Sequence, residues 1–350
     1  MFDILLGLCI AGSEICEDRL LPVAFPSAAD CVREAPVRAE AWVARHEELE
    51  LTQYRCVLHE TLSAYVPPLT TEEVAPGVFV HRAPYAIPTP ENGGDLANIG
   101  FVVGETAVAV IDAGGSRAIG EQLYTAIRER TDLPIGWLVL THVHPDHILG
   151  ASVFREAGAR IVAHPGFTMS LGNRAGSYET AMRRLLGERV WMGTELIAAD
   201  EGAPVTEIDL GGRVLELDYH DIAHSETDMT AFDRATGTWF VGDLVFAGHT
   251  PALDGSILGW QRLLAEMAER SAKRIVPGHG PASLDWPKGA DPIRAYLAAI
   301  TEEARAAIRA GEPLSAASRH IGESQRGSWA LFDEFNRRNA TAAFKELEWE

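Results

Sequence analysis

Positive charge is scarce in this chain of 350 residues. The sequence holds 30 Lys and Arg against 50 Asp and Glu, so its formal net charge is -20 at pH 7. An acidic surface repels the phosphate backbones of nucleic acids, and we therefore expect no nucleic-acid partner. The charge counts against a nuclease, although a local basic groove would still permit one.

A long hydrophobic stretch is missing as well. The best apolar run, residues 4–11, covers eight residues, whereas a helix that crosses a bilayer needs roughly 20. We therefore expect no membrane span. No Lys or Arg precedes this run and no small-residue cleavage site clearly follows it, so the run predicts a core helix or strand rather than a signal peptide.

Cysteine is absent after residue 56. The four cysteines are Cys9, Cys16, Cys31 and Cys56, and an even number in so short a segment predicts disulfides that stabilise a small core, in one of three connectivities. Four reduced, buried thiols are the alternative. No C-x2-C pair is present, which disfavours a four-cysteine zinc site. Disulfides would indicate an oxidising compartment such as the periplasm, whereas the lack of a clear signal peptide keeps the cytoplasm open.

Composition and residue pattern divide the chain into three segments. Residues 1–66 predict a helical, cysteine-containing appendage, because residues 33–62 are rich in Ala, Glu, Arg and Leu without glycine. Residues 67–285 alternate short β-rich runs with helices in two halves, a pattern that indicates an α+β domain of two sheets sandwiched between helices. Residues 286–350 predict a helical C-terminal extension that packs on this domain.

A dense cluster of potential metal ligands follows the apolar strand predicted at residues 137–140. His142, His144, Asp146 and His147 lie within six residues. A strand that ends in a loop lets these side chains turn toward one point, whereas a continuous helix would splay His142 and His144 apart. Imidazole and carboxylate are ligands of Zn2+ at about 2.0 to 2.2 Å. A polar turn with surface histidines is the alternative, but such a dense cluster favours a metal site.

Three further residues each follow a predicted strand: His224, Asp243 and His279. We expect all three to be loop residues at the carboxyl ends of strands. A single residue of this kind is more often a hydrogen-bonded loop residue than a ligand. Their order after the first cluster indicates a larger metal site.

The ligand order, H-x-H-x-D-H followed by His, Asp and His, resembles that of the metallo-β-lactamase superfamily over about residues 74–283. The resemblance implies an αββα metallo-β-lactamase sandwich with metals at one edge between the sheets. It also implies that Asp112 is a buried aspartate that supports the ligand loop.

The resemblance implies two zinc ions, with iron or manganese as less typical occupants. By position, one ion is held by His142, His144 and His224. The other is held by Asp146, His147 and His279, and Asp243 bridges the two.

A narrower resemblance concerns residues 246–260, residues 329–350 and the cysteine-bearing N-terminal segment. These parts are similar to the SoxH-related branch called quinoprotein relay system zinc metallohydrolases, of the second type. The resemblance implies a link to PQQ-dependent quinoprotein systems, a quinoprotein partner and a periplasmic location. It does not identify the substrate.

A metal centre of this kind predicts a hydrolase acting on a small molecule. Two zinc ions about 3.5 to 4 Å apart share a water and lower its pKa toward about 7, so that a metal-bridging hydroxide attacks an electrophilic carbonyl. The resemblance implies hydrolysis of an ester, thioester, lactone or amide. We expect two catalytic side chains: Asp146 as a proton relay, and His249, six residues past Asp243, as a substrate-binding or proton-transfer group. The alternative for His249 is an ordinary loop residue.

The residues that shape the pocket are expected in three loops, 84–98, 166–195 and 247–260. Tyr85, Trp191 and Trp260 are candidate walls, although aromatic residues in loops more often serve packing. Two alternatives to the hydrolase stay open. One is a mononuclear iron oxygenase of thiols or persulfides with the same fold, and the other is a non-enzymatic accessory protein of a quinoprotein pathway. The sequence leaves the oligomeric state open.

Overall fold

Fifteen strands form three β-sheets in this computed structural model, which describes all 350 residues. The strands are β1 (Phe2–Ile10), β2 (Cys16–Phe25), β3 (Leu49–Leu58), β4 (Thr71–Ala75), β5 (Val78–His81), β6 (Ile99–Val103), β7 (Val108–Ile111), β8 (Ile135–Val139), β9 (Arg160–Val162), β10 (Glu207–Asp209), β11 (Val214–Tyr219), β12 (Met229–Asp233), β13 (Thr238–Phe246), β14 (Arg274–His279) and β15 (Leu284–Asp285). The helices are α1 (Ala28–Val43), α2 (Arg117–Arg128), α3 (Pro145–Ile148), α4 (Ala151–Glu156), α5 (Phe167–Trp191), α6 (Ile257–Met267), α7 (Asp291–Arg309), α8 (Leu314–Ala317) and α9 (Phe332–Leu347).

Two six-stranded sheets form the centre of the fold, in the orders β4-β5-β6-β7-β8-β9 and β10-β11-β12-β13-β14-β15. Successive side chains of a strand point to opposite faces of its sheet. In β7, Ala109 and Ile111 therefore enter the apolar layer between the sheets. Val108 and Val110 of the same strand enter the core on the helix-covered face. Both faces of the sheet are thus buried, which confirms the predicted αββα sandwich.

Helices cover the outer face of each sheet. Side chains of α2, α4 and α5 share a core with the first sheet, and side chains of α6, α7 and α9 share one with the second. In α7, Ile293, Leu297, Ile300 and Ala304 recur at helical spacing and are buried as one stripe. The predicted helical C-terminal region is confirmed. The segment boundaries after residues 66 and 285 stay predictions.

The N-terminal segment is not the helical appendage that composition predicts. Its single α-helix, α1, ends at Val43, and β3 occupies much of the stretch predicted as helix. The segment is a three-stranded antiparallel sheet in the order β2-β1-β3, with α1 against it. The prediction was wrong because the Ala- and Glu-rich composition belongs to α1, whereas Thr52, Tyr54 and Val57 favour a strand that pairs with β1.

Both pairs of cysteines form disulfides, as predicted. Cys9 pairs with Cys16 across the end of the β1-β2 hairpin, and Cys31 of α1 pairs with Cys56 of β3. Two disulfides indicate an oxidising environment such as the periplasm. Among the helices, none combines the length and the apolarity that crossing a membrane requires.

Buried polar contacts attach the N-terminal sheet to the sandwich. Arg117 of α2 is fully buried and donates hydrogen bonds to Glu121 Oε1 (2.8 Å), Glu156 Oε2 (2.6 Å) and the carbonyl oxygen of Leu20 in β2 (2.6 Å). A buried guanidinium is stable only when such partners replace water. The segment is therefore fixed against α2 and α4.

Candidate metal centre

The first ligand loop is organised by one buried carboxylate at the end of β7. Asp112 Oδ1 accepts a hydrogen bond from the backbone N–H of Thr141 (2.8 Å), and its Oδ2 accepts from Thr141 Oγ1 and His147 Nδ1 (both 2.8 Å). Asp112 has φ of 60°, a left-handed conformation that aspartate tolerates better than most residues. Because Nδ1 of His147 carries the donated proton, its Nε2 presents a lone pair to the centre. Asp112 thus supports the ligand loop as expected.

The three later residues come from three different elements. His224 lies in the loop after β11, and His279 is the last residue of β14. Asp243 lies inside β13 and His279 is still part of β14, so the expectation that all three are loop residues was wrong for these two. The pairing between β13 and β14 shifts on both sides of Gly242, which has φ of 50°. This irregularity interrupts the strand next to Asp243 without ending it.

The structure brings all seven predicted residues together. Their ligand atoms form two groups in each of which the atoms lie within 4.8 Å of one another. The first group contains His142, His144, His224 and Asp243, and the second contains Asp146, His147 and His279. We call the three histidines of the first group the all-histidine group, and the second group the mixed group.

The spacing inside each group is short. In the all-histidine group, His144 Nδ1 lies 3.1 Å from His142 Nε2 and 3.0 Å from His224 Nε2. In the mixed group, Asp146 Oδ2 lies 3.3 Å from His279 Nε2 and 3.7 Å from His147 Nε2.

Asp243 lies between the two groups. Its Oδ1 is 3.2 Å from His147 Nε2 and 3.4 Å from His279 Nε2. Its Oδ2 is 3.4 Å from His224 Nε2 and 3.6 Å from His142 Nε2. One carboxylate oxygen therefore faces each group, which is the arrangement that a carboxylate bridging two cations needs.

The donor set fits metal ions. Ligand nitrogens about 2.0 to 2.1 Å from a tetrahedral zinc lie about 3.3 Å from one another, close to the spacing in the all-histidine group. Buried polar atoms normally have partners, yet His147 Nε2 and Asp243 Oδ1 are buried without a hydrogen bond. A cation between them would satisfy both. An imidazole-rich set suits zinc and also accepts iron.

The charges of the two groups differ in the metal-free protein. Burial lowers the pKa of His224 to about 3. Burial acts in the same direction on His279, but the carboxylates of Asp243 and Asp146 outweigh it and raise the pKa of that imidazole to about 9. The pKa of His147 is also raised by neighbouring carboxylates despite its burial. The mixed group therefore attracts positive charge, and a bound cation would replace its protons.

Two polar residues that support the centre were missed by sequence reasoning. Asp254 Oδ2 lies 3.1 Å from His144 Nε2 and accepts a hydrogen bond from Arg174 (2.7 Å), so that His144 presents Nδ1 to the centre. Asn98 donates from Nδ2 to the carbonyl oxygen of Pro277 (2.9 Å) in the loop that carries His279. The only sequence signal was that both residues lie in loops expected to shape the pocket, Asn98 in 84–98 and Asp254 in 247–260.

A cavity of about 530 Å3 opens over the centre. His249 lines it, is only 3% exposed, and donates from Nδ1 to the carbonyl oxygen of Thr250 (2.7 Å), which leaves Nε2 free. Its ring centroid lies 4.8 Å from that of His279, and burial lowers its pKa to about 4. The structure thus places His249 beside the mixed group.

The expected aromatic walls do not line this cavity. Tyr85 donates a hydrogen bond to the carbonyl oxygen of Ala247 (2.7 Å), Trp260 is fully buried beside His224, and Trp191 belongs to the helix-side core. The three predicted loops do supply walls. Helix α9 supplies another through Phe335, which sequence reasoning missed.

Comparison with known proteins agrees with this geometry. The family model described as the metallo-beta-lactamase superfamily matches residues 92–279. No curated protein matches the chain.

Three solved structures share the fold at 20% sequence identity. TMB-1 aligns over 67% of this chain and 98% of its own with a TM-score of 0.51. A metallo-beta-lactamase from Pontibacter korlensis aligns over 66% and 95% with a TM-score of 0.51. The DIM-1 metallo-beta-lactamase aligns over 66% and 98% with a TM-score of 0.50. At this identity the likeness concerns the fold alone.

Proposed function

Because the chain belongs to the metallo-beta-lactamase superfamily, we propose that it is a dinuclear zinc hydrolase of small molecules. The observation that carries the proposal is the position of Asp243, whose two oxygens each face a separate group of ligand atoms. The reaction proposed is hydrolysis of an ester, thioester, lactone or amide.

The proposed ligands follow the two groups. His142, His144 and His224 would hold one ion, Asp146, His147 and His279 the other, and Asp243 both. When bound, two such ions supply a hydroxide nucleophile at neutral pH and polarise the carbonyl oxygen of the substrate. The protein holds its ligands in fixed orientations, since the outer nitrogens of His147 and His144 are engaged by Asp112 and Asp254.

We assign Asp146 and His249 the catalytic roles among the side chains. The Asp146 side chain is 20% exposed, and it lines the cavity, so it has access to a leaving group that needs a proton. His249 presents a free Nε2 at the cavity wall because its Nδ1 is engaged by Thr250. It would accept a hydrogen bond or a proton from the substrate.

The biological setting is a separate proposal. The two disulfides support a periplasmic location, and the resemblance of residues 246–260 and 329–350 to quinoprotein relay metallohydrolases supports a quinoprotein partner. Fractionation of cells that produce the protein should recover it with periplasmic markers. Recovery in the cytoplasm with reduced cysteines would contradict this setting.

Metal analysis paired with a substrate screen tests the function. We expect two zinc ions per chain and turnover of at least one class among esters, thioesters, lactones and β-lactams, lost on chelation and restored by zinc. One iron per chain with oxygen consumption on a thiol or persulfide would instead support the oxygenase. A metal-loaded protein without turnover in either assay would favour an accessory role.

A further inference from the structure

The cavity over the candidate metal centre has walls from distant parts of the chain. The loop before β6 contributes Ile87, α5 contributes Met182 and Leu185, and α9 contributes Phe335. Candidate ligands such as Asp243 form its floor. Ile87 and Leu185 remain 44% and 38% exposed. The apolar wall thus continues to the mouth, where it would contact an apolar part of a substrate.

Two arginines that line the same cavity have no hydrogen-bond or salt-bridge partner. Arg184 of α5 and Arg338 of α9 both line it, and neither forms a hydrogen bond or salt bridge in the structure. Other arginines of α5 behave differently: Arg183 pairs with Glu188 (2.6 Å) and Arg174 with Asp254 (2.7 Å). Both Arg184 and Arg338 are exposed, so their guanidinium groups are available to an anionic group that enters the cavity.

The acidic residues of the cavity do not neutralise these arginines. Asp146 and Asp243 lie on the floor among the candidate ligands, so their charges belong to the metal centre. Glu334 lines the cavity one helical turn before Arg338, yet the two form no ion pair. The mouth therefore carries two positive charges against one negative charge.

We propose that the substrate is a carboxylic acid whose carboxylate pairs with Arg184 and Arg338 while its apolar body spans the cavity. This inference rests on the proposed function, because it places the hydrolysable bond at the metal centre. The planar guanidinium matches a carboxylate with two parallel hydrogen bonds, and a carboxylate is a better partner for it than any neutral group. The two arginines thus select the anionic end of the substrate.

The size of the cavity limits the length of that body. A sphere of about 530 Å3 is about 10 Å across, within the usual range for small-molecule sites. An extended chain covers that distance in about eight bonds. A carboxylate about six to eight bonds from the scissile carbonyl would therefore reach the mouth.

A matched pair of esters tests the proposal. Mono(4-nitrophenyl) suberate carries a terminal carboxylate where 4-nitrophenyl octanoate carries a methyl group. We expect the zinc-loaded enzyme to prefer the suberate ester. Arg184→Ala and Arg338→Ala should each lower the suberate-to-octanoate ratio of kcat/KM by about tenfold, mainly through KM, since a hydrogen bond to a charged group is lost at a partly solvated site.

Control variants separate charge at the cavity from charge elsewhere. Arg337 neighbours Arg338 on α9 but does not line the cavity, so Arg337→Ala should leave the ratio unchanged. Arg338→Lys should retain part of the preference, and Arg338→Glu should lower it further than alanine does. Rising salt concentration should weaken binding of the suberate ester more than that of the octanoate ester.

Direct binding distinguishes this inference from the proposed function. Calorimetric titration of zinc-loaded protein with suberate should show weaker binding to the Arg184→Ala/Arg338→Ala double variant than to the wild type. Hydrolysis of both esters with no preference, and no effect of the variants, would overturn the carboxylate proposal alone. If neither ester is hydrolysed, equal suberate affinity of the wild type and the double variant would overturn it as well, and weaker affinity of the double variant would support it.

Discussion

The all-histidine group and the mixed group share Asp243 but are supported in different ways. The mixed group is fixed by Asp112, which is 2% exposed and holds both Thr141 and His147. The all-histidine group is reached by Asp112 only indirectly, through Thr141 Oγ1, which lies 3.1 Å from His142 Nδ1. Its other support is Asp254, whose side chain is 38% exposed and is itself held by Arg174. A buried support keeps its geometry better than a solvated one. The mixed group should therefore be the more rigid half of the centre.

Asp243→Ala should have the largest effect because it removes the one residue that both groups share. Loss of an outer partner typically costs 10- to 100-fold in metal affinity or activity, and loss of this ligand should cost at least about a thousandfold in kcat/KM. Metal analysis should find fewer than two ions per chain. Asp285→Ala, at an exposed strand position, is the control. Two tightly bound ions in Asp243→Ala would contradict the bridging role.

Asp112→Asn should weaken metal binding in the mixed group and lower the stability of the fold. An amide nitrogen would face the donors of Thr141 or His147, so a buried hydrogen bond would be lost at a cost of about 2 to 3 kcal/mol in the free energy of unfolding. Zinc titration should show the larger weakening at the mixed group, because Asp112 contacts His147 directly and reaches His142 only through Thr141. Equal weakening of both sites would contradict the stronger support of the mixed group by Asp112.

In the metal-free protein, the two groups should change the free energy of unfolding with pH in opposite directions. The pKa of His279 rises to about 9 in the folded protein. Its stabilisation of the folded protein is therefore present below the unfolded pKa of about 6.5 and is lost as pH rises toward 9. The pKa of His224 falls to about 3, so its penalty appears as pH falls below about 6.5.

Between pH 6.5 and pH 9 the free energy of unfolding of the metal-free protein should therefore fall by about 2 kcal/mol through His279 alone. Chemical denaturation across this range measures the effect, with His279→Gln as the variant that removes the share of His279, while the raised pKa of His147 leaves a residual alkaline loss. An alkaline loss of the same size in His279→Gln would assign it to another group.

Asp254→Ala should have the smallest effect of the four. His144 would lose the partner of its Nε2, but water can replace an exposed carboxylate, so we expect about a tenfold loss of zinc affinity in the all-histidine group. Competition with a chromophoric chelator measures this. A loss of zinc affinity as large as that caused by Asp112→Asn would contradict the conclusion that the mixed group is the more rigid half of the centre.

Sequence reasoning succeeded where spacing along the chain determines position. His142 to His147 follow one strand directly, and the later ligands follow or lie within strands whose apolar runs were recognisable, so their convergence was predictable from a sheet architecture. The alternation of short β-rich runs with helices over residues 67–285 likewise predicted two sheets between helices.

Sequence reasoning failed where tertiary contacts determine which structure forms. The strand β3 contains charged and polar residues and forms because it pairs with β1, which composition does not reveal. Asp254 and Phe335 reach the centre from distant parts of the chain, and neither follows a periodic pattern. The position of Asp243 inside β13 depends on the shift in strand pairing at Gly242.

The two-metal centre bridged by Asp243 can be observed by anomalous diffraction at the zinc absorption edge, from crystals of zinc-loaded protein. We expect two peaks per chain about 3.5 to 4 Å apart, one in each ligand group, with one Asp243 oxygen toward each. A single peak within one group, or a peak away from Asp243, would contradict a two-metal centre bridged by this residue.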